Sequence, residues 1–254
     1  MEEKGGIKMP FLFLSPSTQE FNPYITSENE EYWMNLIADE MEPYLRASAV
    51  NFTRNDAAKN AGASIRASNA GSYDLHLALH SNAAPVSAGD TVYRGIDIYY
   101  YPTSAAGLAM AQILADNLRE IYPLPEKVRT LATTSIGEVR LTAAPAVLAE
   151  LGYHDDPDDA RWIEANTGAI ARTAALSVTE YFGLPFLEPI QPRPATVRTQ
   201  GAALNLRAYP EPSAMAYLQI PNGSEVRVYG EYDGVWNTVS YSGIYGYAAA
   251  EYLQ

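Results

Sequence analysis

Four of the eleven residues from 184 to 194 are proline: Pro185, Pro189, Pro192 and Pro194. Each lacks an amide donor and has a fixed φ, so this density suits neither a helix nor a central strand, and the segment reads as a semi-rigid spacer. The chain is therefore expected to divide into residues 1–184, a spacer over 185–196 and a module over 197–254. With 254 residues, 47% of them hydrophobic, there is material for one ordinary core and a small second one.

The two sides of the spacer differ in texture. Ahead of it, short apolar runs alternate with segments of helical period. Phe11-Leu-Phe-Leu14 reads as a buried strand ended by Ser15-Pro-Ser-Thr18, and residues 74–79, 95–101 and 146–150 read as further strands. Residues 30–45, with Trp33, Ile37, Met41 and Tyr44 at helical spacing, read as a helix with Ser27 as its N-cap; residues 108–121 and 161–182 read as two more. This pattern implies an α/β fold, a sheet covered by helices. Behind the spacer, residues 203–207, 225–229, 236–241 and 246–248 are short alternating segments separated by Pro221-Asn-Gly223, Asp233-Gly234 and Ser242-Gly243. They predict a small all-β barrel.

Composition narrows the chemistry. A formal net charge of -13, with no Lys/Arg stripe to offset it, argues against nucleic acid and anionic membrane surfaces as partners. No stretch approaches the roughly 20 apolar residues of a membrane span. Residues 1–10 are charged and Gly-rich, with no apolar run of the kind a secretory signal requires. Cysteine is absent, so no thiol nucleophile is available and a transition-metal centre would have to use imidazole and carboxylate, the usual makeup of catalytic zinc.

Three histidines are present, His76, His80 and His154. In a strand His76 and His80 share a face but lie about 13 Å apart at ~3.3 Å per residue, too far to bind one ion whose donors sit about 2 Å away. His80, at the strand end beside Ser81-Asn-Ala, is placed where sites open in α/β sheets, whereas His76 reads as a core or flank residue. Helix phase chooses between Glu30 and Glu31: at 100° per residue Glu30 lies over Trp33, Ile37 and Met41, and Glu31 points the other way. Glu30 could instead complete a capping box with Ser27.

Several motifs then occur in a telling order: Thr53-Arg-Asn-Asp56, Arg66 with Asn69, Asp74-Leu-His-Leu-Ala-Leu-His-Ser-Asn-Ala83, Gly95-Ile-Asp-Ile-Tyr99 and Ala144-Pro-Ala-Val-Leu-Ala-Glu-Leu-Gly-Tyr153. Residues 11–182 thereby resemble the zinc-dependent N-acetylmuramoyl-L-alanine amidases, the peptidoglycan amidases of bacterial autolysins and phage endolysins. The resemblance implies a twisted mixed sheet flanked by helices, of the phosphorylase/hydrolase-like kind, a Zn2+ ion held by Glu30 and His80, and Glu150 as the catalytic carboxylate. It also implies bacterial cell-wall peptidoglycan as the partner, and action outside the cell or at the wall. Arg66 and Arg140 would either touch a peptide carboxylate or form buried structural ion pairs. Residues 204–210, Leu-Asn-Leu-Arg-Ala-Tyr-Pro, with Gly246-Tyr247 and Tyr252-Leu253, resemble the opening and close of a bacterial SH3 domain, a common wall-binding module.

One departure stands out. The family usually opens with "DPGHGG", whose histidine is the first zinc ligand, and here Ser15-Pro-Ser-Thr-Gln19 supplies no imidazole. Gln19 is a neutral amide and a poor zinc ligand. His154 occupies a place that is histidine in a clostridial endolysin branch, which also carries "SPS-Q" for "DPGH". It is the candidate third ligand, or else a loop residue near the site. Two alternatives to an active zinc amidase follow from the lost histidine: a wall-binding protein on an inactive amidase fold, and another zinc hydrolase of wall peptides.

Overall fold

A computed structural model of the protein describes residues 9–85 and 92–254. Residues 1–8, which carry most of the charged, Gly-rich opening, lie outside the described residues. The chain forms two compact units, one made of Phe11–Glu42 and Phe52–Tyr181, the other containing Pro43–Asn51 and Phe182–Gln254.

The larger unit is built on six strands: β1 (Phe11–Pro16), β2 (Asn51–Arg54), β3 (Leu75–Asn82), β4 (Ile96–Tyr100), β5 (Val128–Ala132) and β6 (Ala146–Tyr153), in the order β2-β1-β3-β6-β4-β5. Strands β1, β3 and β6 are mutually parallel, and β4 runs antiparallel to β6 and parallel to β5, which makes the sheet mixed. Its helices are α1 (Glu30–Ala47), α2 (Ala61–Ala70), α3 (Ala105–Arg119), α4 (Gly137–Arg140), α5 (Pro157–Ala165) and α6 (Thr167–Phe182). In β1 and β3 the residues 12–15 and 75–81 are buried without alternation, as expected of strands covered on both faces.

Helix α1 buries Met34, Ile37, Ala38, Met41 and Leu45. This seam is turned by about one residue from the expected Trp33, Ile37, Met41 and Tyr44, and Glu30, four residues before Met34, continues it. The expected N-cap differs too. Asn29, not Ser27, caps the helix, its Oδ1 accepting from Tyr32 N at 2.9 Å, while Ser27 Oγ donates to Glu164. Glu30 thus opens the helix and has no part in a capping box with Ser27. The single helix expected over 161–182 is two, because Pro157 with its cap Asp156 starts a helix early and the chain breaks at Asn166.

Register fixes the working row of the sheet. His80 on β3 pairs with Glu150 on β6, which pairs with Asp97 on β4. Immediately beyond, Asn82 pairs with Tyr153, so two steps on β3 face three on β6, a bulge. Gly152, at φ +125, takes a conformation closed to most L-residues. The additional residue inverts the phase: Tyr153, rather than His154, ends on the face of Glu150.

In the other unit all strands are antiparallel: β7 (Arg193–Thr196), β8 (Leu204–Arg207), β9 (Ala216–Ile220), β10 (Glu225–Tyr232), β11 (Trp236–Tyr241) and β12 (Ile244–Ala249), in the order β7-β10-β11-β12-β8-β9. Its core comprises Val197, Leu206, Ile220, Val228, Val239 and Ala248. Ser242 and Gly243 join β11 to β12 with φ of 51° and 79°, the twist a two-residue hairpin needs. The last four residues of the proline-rich stretch are β7, hydrogen-bonded to β10 at the sheet edge, a position where proline is tolerated because no second neighbour asks for its amide.

Asp159 holds the end of β6 in place. Fully buried, it accepts from Tyr122 OH (2.6 Å), Gly95 N (3.0 Å), Tyr153 N (3.1 Å) and Arg94 Nε (3.1 Å). Replacing it by alanine leaves Tyr122 OH, Gly95 N and Tyr153 N without an acceptor, while Arg94 keeps Asp156 and Asp158, so Asp159→Ala is expected to lower unfolding free energy by roughly 3–5 kcal/mol in urea denaturation. A loss below about 1 kcal/mol would contradict the role assigned to it.

Candidate active site

The site gathers where β3, β6 and the start of α1 meet. His80 stands at its centre, 6% exposed, with both ring nitrogens on carboxylates: Nδ1 is 2.8 Å from Glu30 Oε1 and Nε2 is 3.1 Å from Glu138 Oε2. Glu30 is in turn held by Asn22, whose Nδ2 donates to Oε2 at 2.7 Å, and by the Ser81 amide at 3.4 Å from Oε1. Gln19 Nε2 lies 3.1 Å from His80 Nδ1, and the Gln19 carbonyl accepts from Asn22.

Electrostatics follow from this crowding. Burial pushes the His80 imidazole down, but the hydrogen bonds and charges of Glu138 and Glu30 outweigh it and hold it up at about 10. Burial raises Glu138, yet its bonds to His76 and His80 bring it down to about 2. Glu30 is likewise held below the ordinary carboxylate range: burial opposes this, and the His80 bond and charge prevail.

Glu150 behaves in the opposite way. The residue as a whole is partly buried, but its Oε2 is shut off from solvent and meets no hydrogen-bond partner among the described residues. Burial pushes the group up to about 7, helped by the charges of Glu30, Asp97 and Glu138 and opposed by that of His80. Asp97, its neighbour in register, is clamped by Arg129 through Nε (2.7 Å) and Nη2 (2.9 Å). A carboxyl poised near neutrality beside a buried imidazole is suited to taking up and releasing a proton.

The phase change at the bulge carries His154 elsewhere. Its Nδ1 is 3.1 Å from both the Ser81 carbonyl and the Ser81 hydroxyl, and its ring stacks on Tyr24 at 5.6 Å. The structure therefore brings Glu30, His80 and Glu150 into one neighbourhood and links His154 to it through Ser81, whose amide faces Glu30. Arg66 and Arg140 are exposed, which excludes the buried-ion-pair role. Arg66 lines a cleft of about 940 Å³ with Phe21, Lys59 and Asn60.

As a setting for zinc, the pair Glu30 Oε1 and His80 Nδ1 has suitable donor chemistry at adjacent positions, and the orphaned Glu150 oxygen adds a third acidic atom nearby. Among the described residues no group of three or more His, Asp or Glu side chains is placed to hold a metal ion. The donors fit in kind, with two of the expected three in direct contact.

Sequence reasoning missed Glu138 and Asn22. Glu138 carried one usable signal, a lone carboxylate inside the apolar stretch Ile136-Gly-Glu-Val139. It is buried there and had to find a partner.

Comparison with known proteins agrees with this architecture. The family model described as N-acetylmuramoyl-L-alanine amidase matches residues 22–180, and that of a bacterial SH3 domain matches residues 202–254. Among solved structures, the amidase AmiC2 of Nostoc punctiforme is similar at a TM-score of 0.59 and 15% identity, covering 70% of this chain and 99% of that one. The catalytic domain of CwlV from Bacillus (Paenibacillus) polymyxa has a TM-score of 0.59 at 17% identity, over 70% and 100% of the two chains. The catalytic domain of the CD27L endolysin, which targets Clostridia Difficile, gives 0.54 at 18%, over 68% and 98%. No curated protein matches the chain. The amidase model spans more than half of the sequence, and the protein belongs to the N-acetylmuramoyl-L-alanine amidase family, with a bacterial SH3 domain behind the catalytic fold.

Proposed function

We propose that the protein is a zinc-dependent hydrolase of the amide between N-acetylmuramic acid and L-alanine in bacterial peptidoglycan, with Glu150 as general base. In this reading residues 1–184 cut the wall polymer, residues 197–254 bind it, residues 185–196 join the two, and the place of action is the cell wall. The observation that carries the proposal is the buried, unpartnered Glu150 Oε2 beside the Glu30–His80 pair.

Glu30 and His80 would hold the zinc. His154 is the proposed third ligand: donation of its Nδ1–H to the Ser81 carbonyl leaves Nε2 with the free lone pair. Zinc, when bound, supplies Lewis acidity at the scissile carbonyl and lowers the pKa of water towards about 7. The Glu150 carboxylate takes the proton of the attacking water and delivers it to the departing alanine nitrogen, so one carboxylate serves as base and then as acid. Asn22 and the Ser81 amide keep Glu30 oriented.

The absence of an imidazole from residues 15–19 favours a second reading, a wall-binding protein without turnover. Zinc below one equivalent together with no release of alanine amino groups from purified peptidoglycan would favour that reading. Release of other peptide ends, seen in the muropeptide products, would favour a different wall-peptide hydrolase.

Glu150→Gln is expected to cut alanine release by roughly 10²–10⁴-fold while zinc content stays at the parental level; retained turnover would refute the base assignment. His154→Ala is expected to weaken zinc binding by roughly 100-fold in chelator competition, and unchanged affinity removes His154 from the ligand set. The raised Glu150 also predicts a pH dependence of stability in the metal-free protein. Because folding favours its neutral form, stability is intact below the unfolded value near 4.5 and is lost as pH rises towards about 7. Metal-free Glu150→Gln should therefore exceed the metal-free parent by about 3 kcal/mol at pH 8, with the difference closing below pH 4.5.

A further inference from the structure

We infer that Glu138 is the positioning residue of this site, the group that decides which nitrogen of His80 faces Glu30; this rests on the zinc reading above. Three donors from separate parts of the chain converge on its carboxylate. Ser15 Oγ donates to Oε1 at 2.6 Å, His76 Nε2 donates to the same oxygen at 3.2 Å, and His80 Nε2 donates to Oε2 at 3.1 Å. The group is 5% exposed and His76 is fully buried, so none of these bonds competes freely with water.

The arrangement gives a role to His76, which could not share an ion with His80. Two imidazoles spaced four residues apart on one strand are too distant for a single cation, but a carboxylate with two oxygens spans the gap between their ring tips. His76 is itself fixed, its Nδ1 3.0 Å from Ser68 Oγ and its ring stacked on Phe13 at 5.2 Å. A continuous polar chain therefore runs Ser68, His76, Glu138, His80, Glu30, Asn22. Strand β3 supplies both imidazoles, while α2, α4 and α1 supply Ser68, Glu138 and Glu30.

The consequence concerns the tautomer. An imidazole that keeps its proton on Nε2 presents its lone pair at Nδ1, and Glu138 accepts from Nε2. The ring is thereby both oriented and told which nitrogen to offer on the Glu30 side. Carboxylates placed behind a ligating histidine act in this way, and their loss lowers metal affinity by roughly 10–100-fold. Ser15 and Glu138 contact each other in a chain that lacks the usual opening imidazole, so the positioning is provided from inside the sheet.

The test uses the full-length chain with zinc alone as probe. Zinc affinity is measured by chelator competition for the parent, Glu138→Ala and Glu138→Gln, and the ring nitrogens of zinc-loaded parent are assigned by long-range proton–nitrogen NMR. The expected result is His80 protonated on Nε2 and metallated on Nδ1, affinity lowered roughly 10–100-fold in Glu138→Ala, and recovery to within a few-fold in Glu138→Gln, whose amide oxygen still accepts from Nε2. Parental affinity in Glu138→Ala would overturn the inference while leaving the zinc reading standing. The opposite nitrogen assignment in the parent would overturn it even if the alanine variant failed to fold. A parent that takes up no zinc would overturn the reading beneath it as well.

Discussion

A histidine held between two buried carboxylates organises this molecule. His80 sits on the central part of the sheet, and Glu30 and Glu138 reach it from helices on different parts of the chain. None of the three groups would be stable there alone, since an isolated buried charge is strongly unfavourable. Together they form a set in which each compensates the next, and the two acids are held ionised by the imidazole between them. That mutual dependence explains why Glu150, one step across the sheet, is treated so differently. It has the same side chain but, among the described residues, no donor for its inner oxygen, so burial raises it rather than being outweighed.

The fold was largely legible because its strands are runs of buried apolar residues and its helices carry clear caps or seams. Phe11-Leu-Phe-Leu14 could hardly be other than a covered strand, whereas the expected helix over 161–182 overlooks a local start signal, Pro157 behind Asp156. At the start of α1 a long-range contact is the cause of the difference. Ser27 has the right chemistry for a cap, but Glu164, far along the chain, takes its hydroxyl. Asn29, closer to the first turn, caps in its place.

The candidate site was legible in part for the same reason. Helix phase alone put Glu30 over the sheet, and strand spacing alone separated His76 from His80. The carboxylate that reconciles the two histidines lies in the four-residue helix α4, too short to show periodicity, and its partners are 58 and 62 positions away. Nor does any local signal announce the extra residue on β6, since glycine is common in strands that bend and only the partner's register reveals a bulge.

That extra residue lets one strand bring two groups to one neighbourhood by different routes. Upstream of Gly152, β6 presents an acid toward the row shared with His80; downstream, the inverted pleat directs an imidazole to Ser81 and Tyr24. A regular strand would have crowded both groups onto a single surface. Here a lone glycine works as a phase shifter, so length variation at this one step would reassign every functional group that follows it.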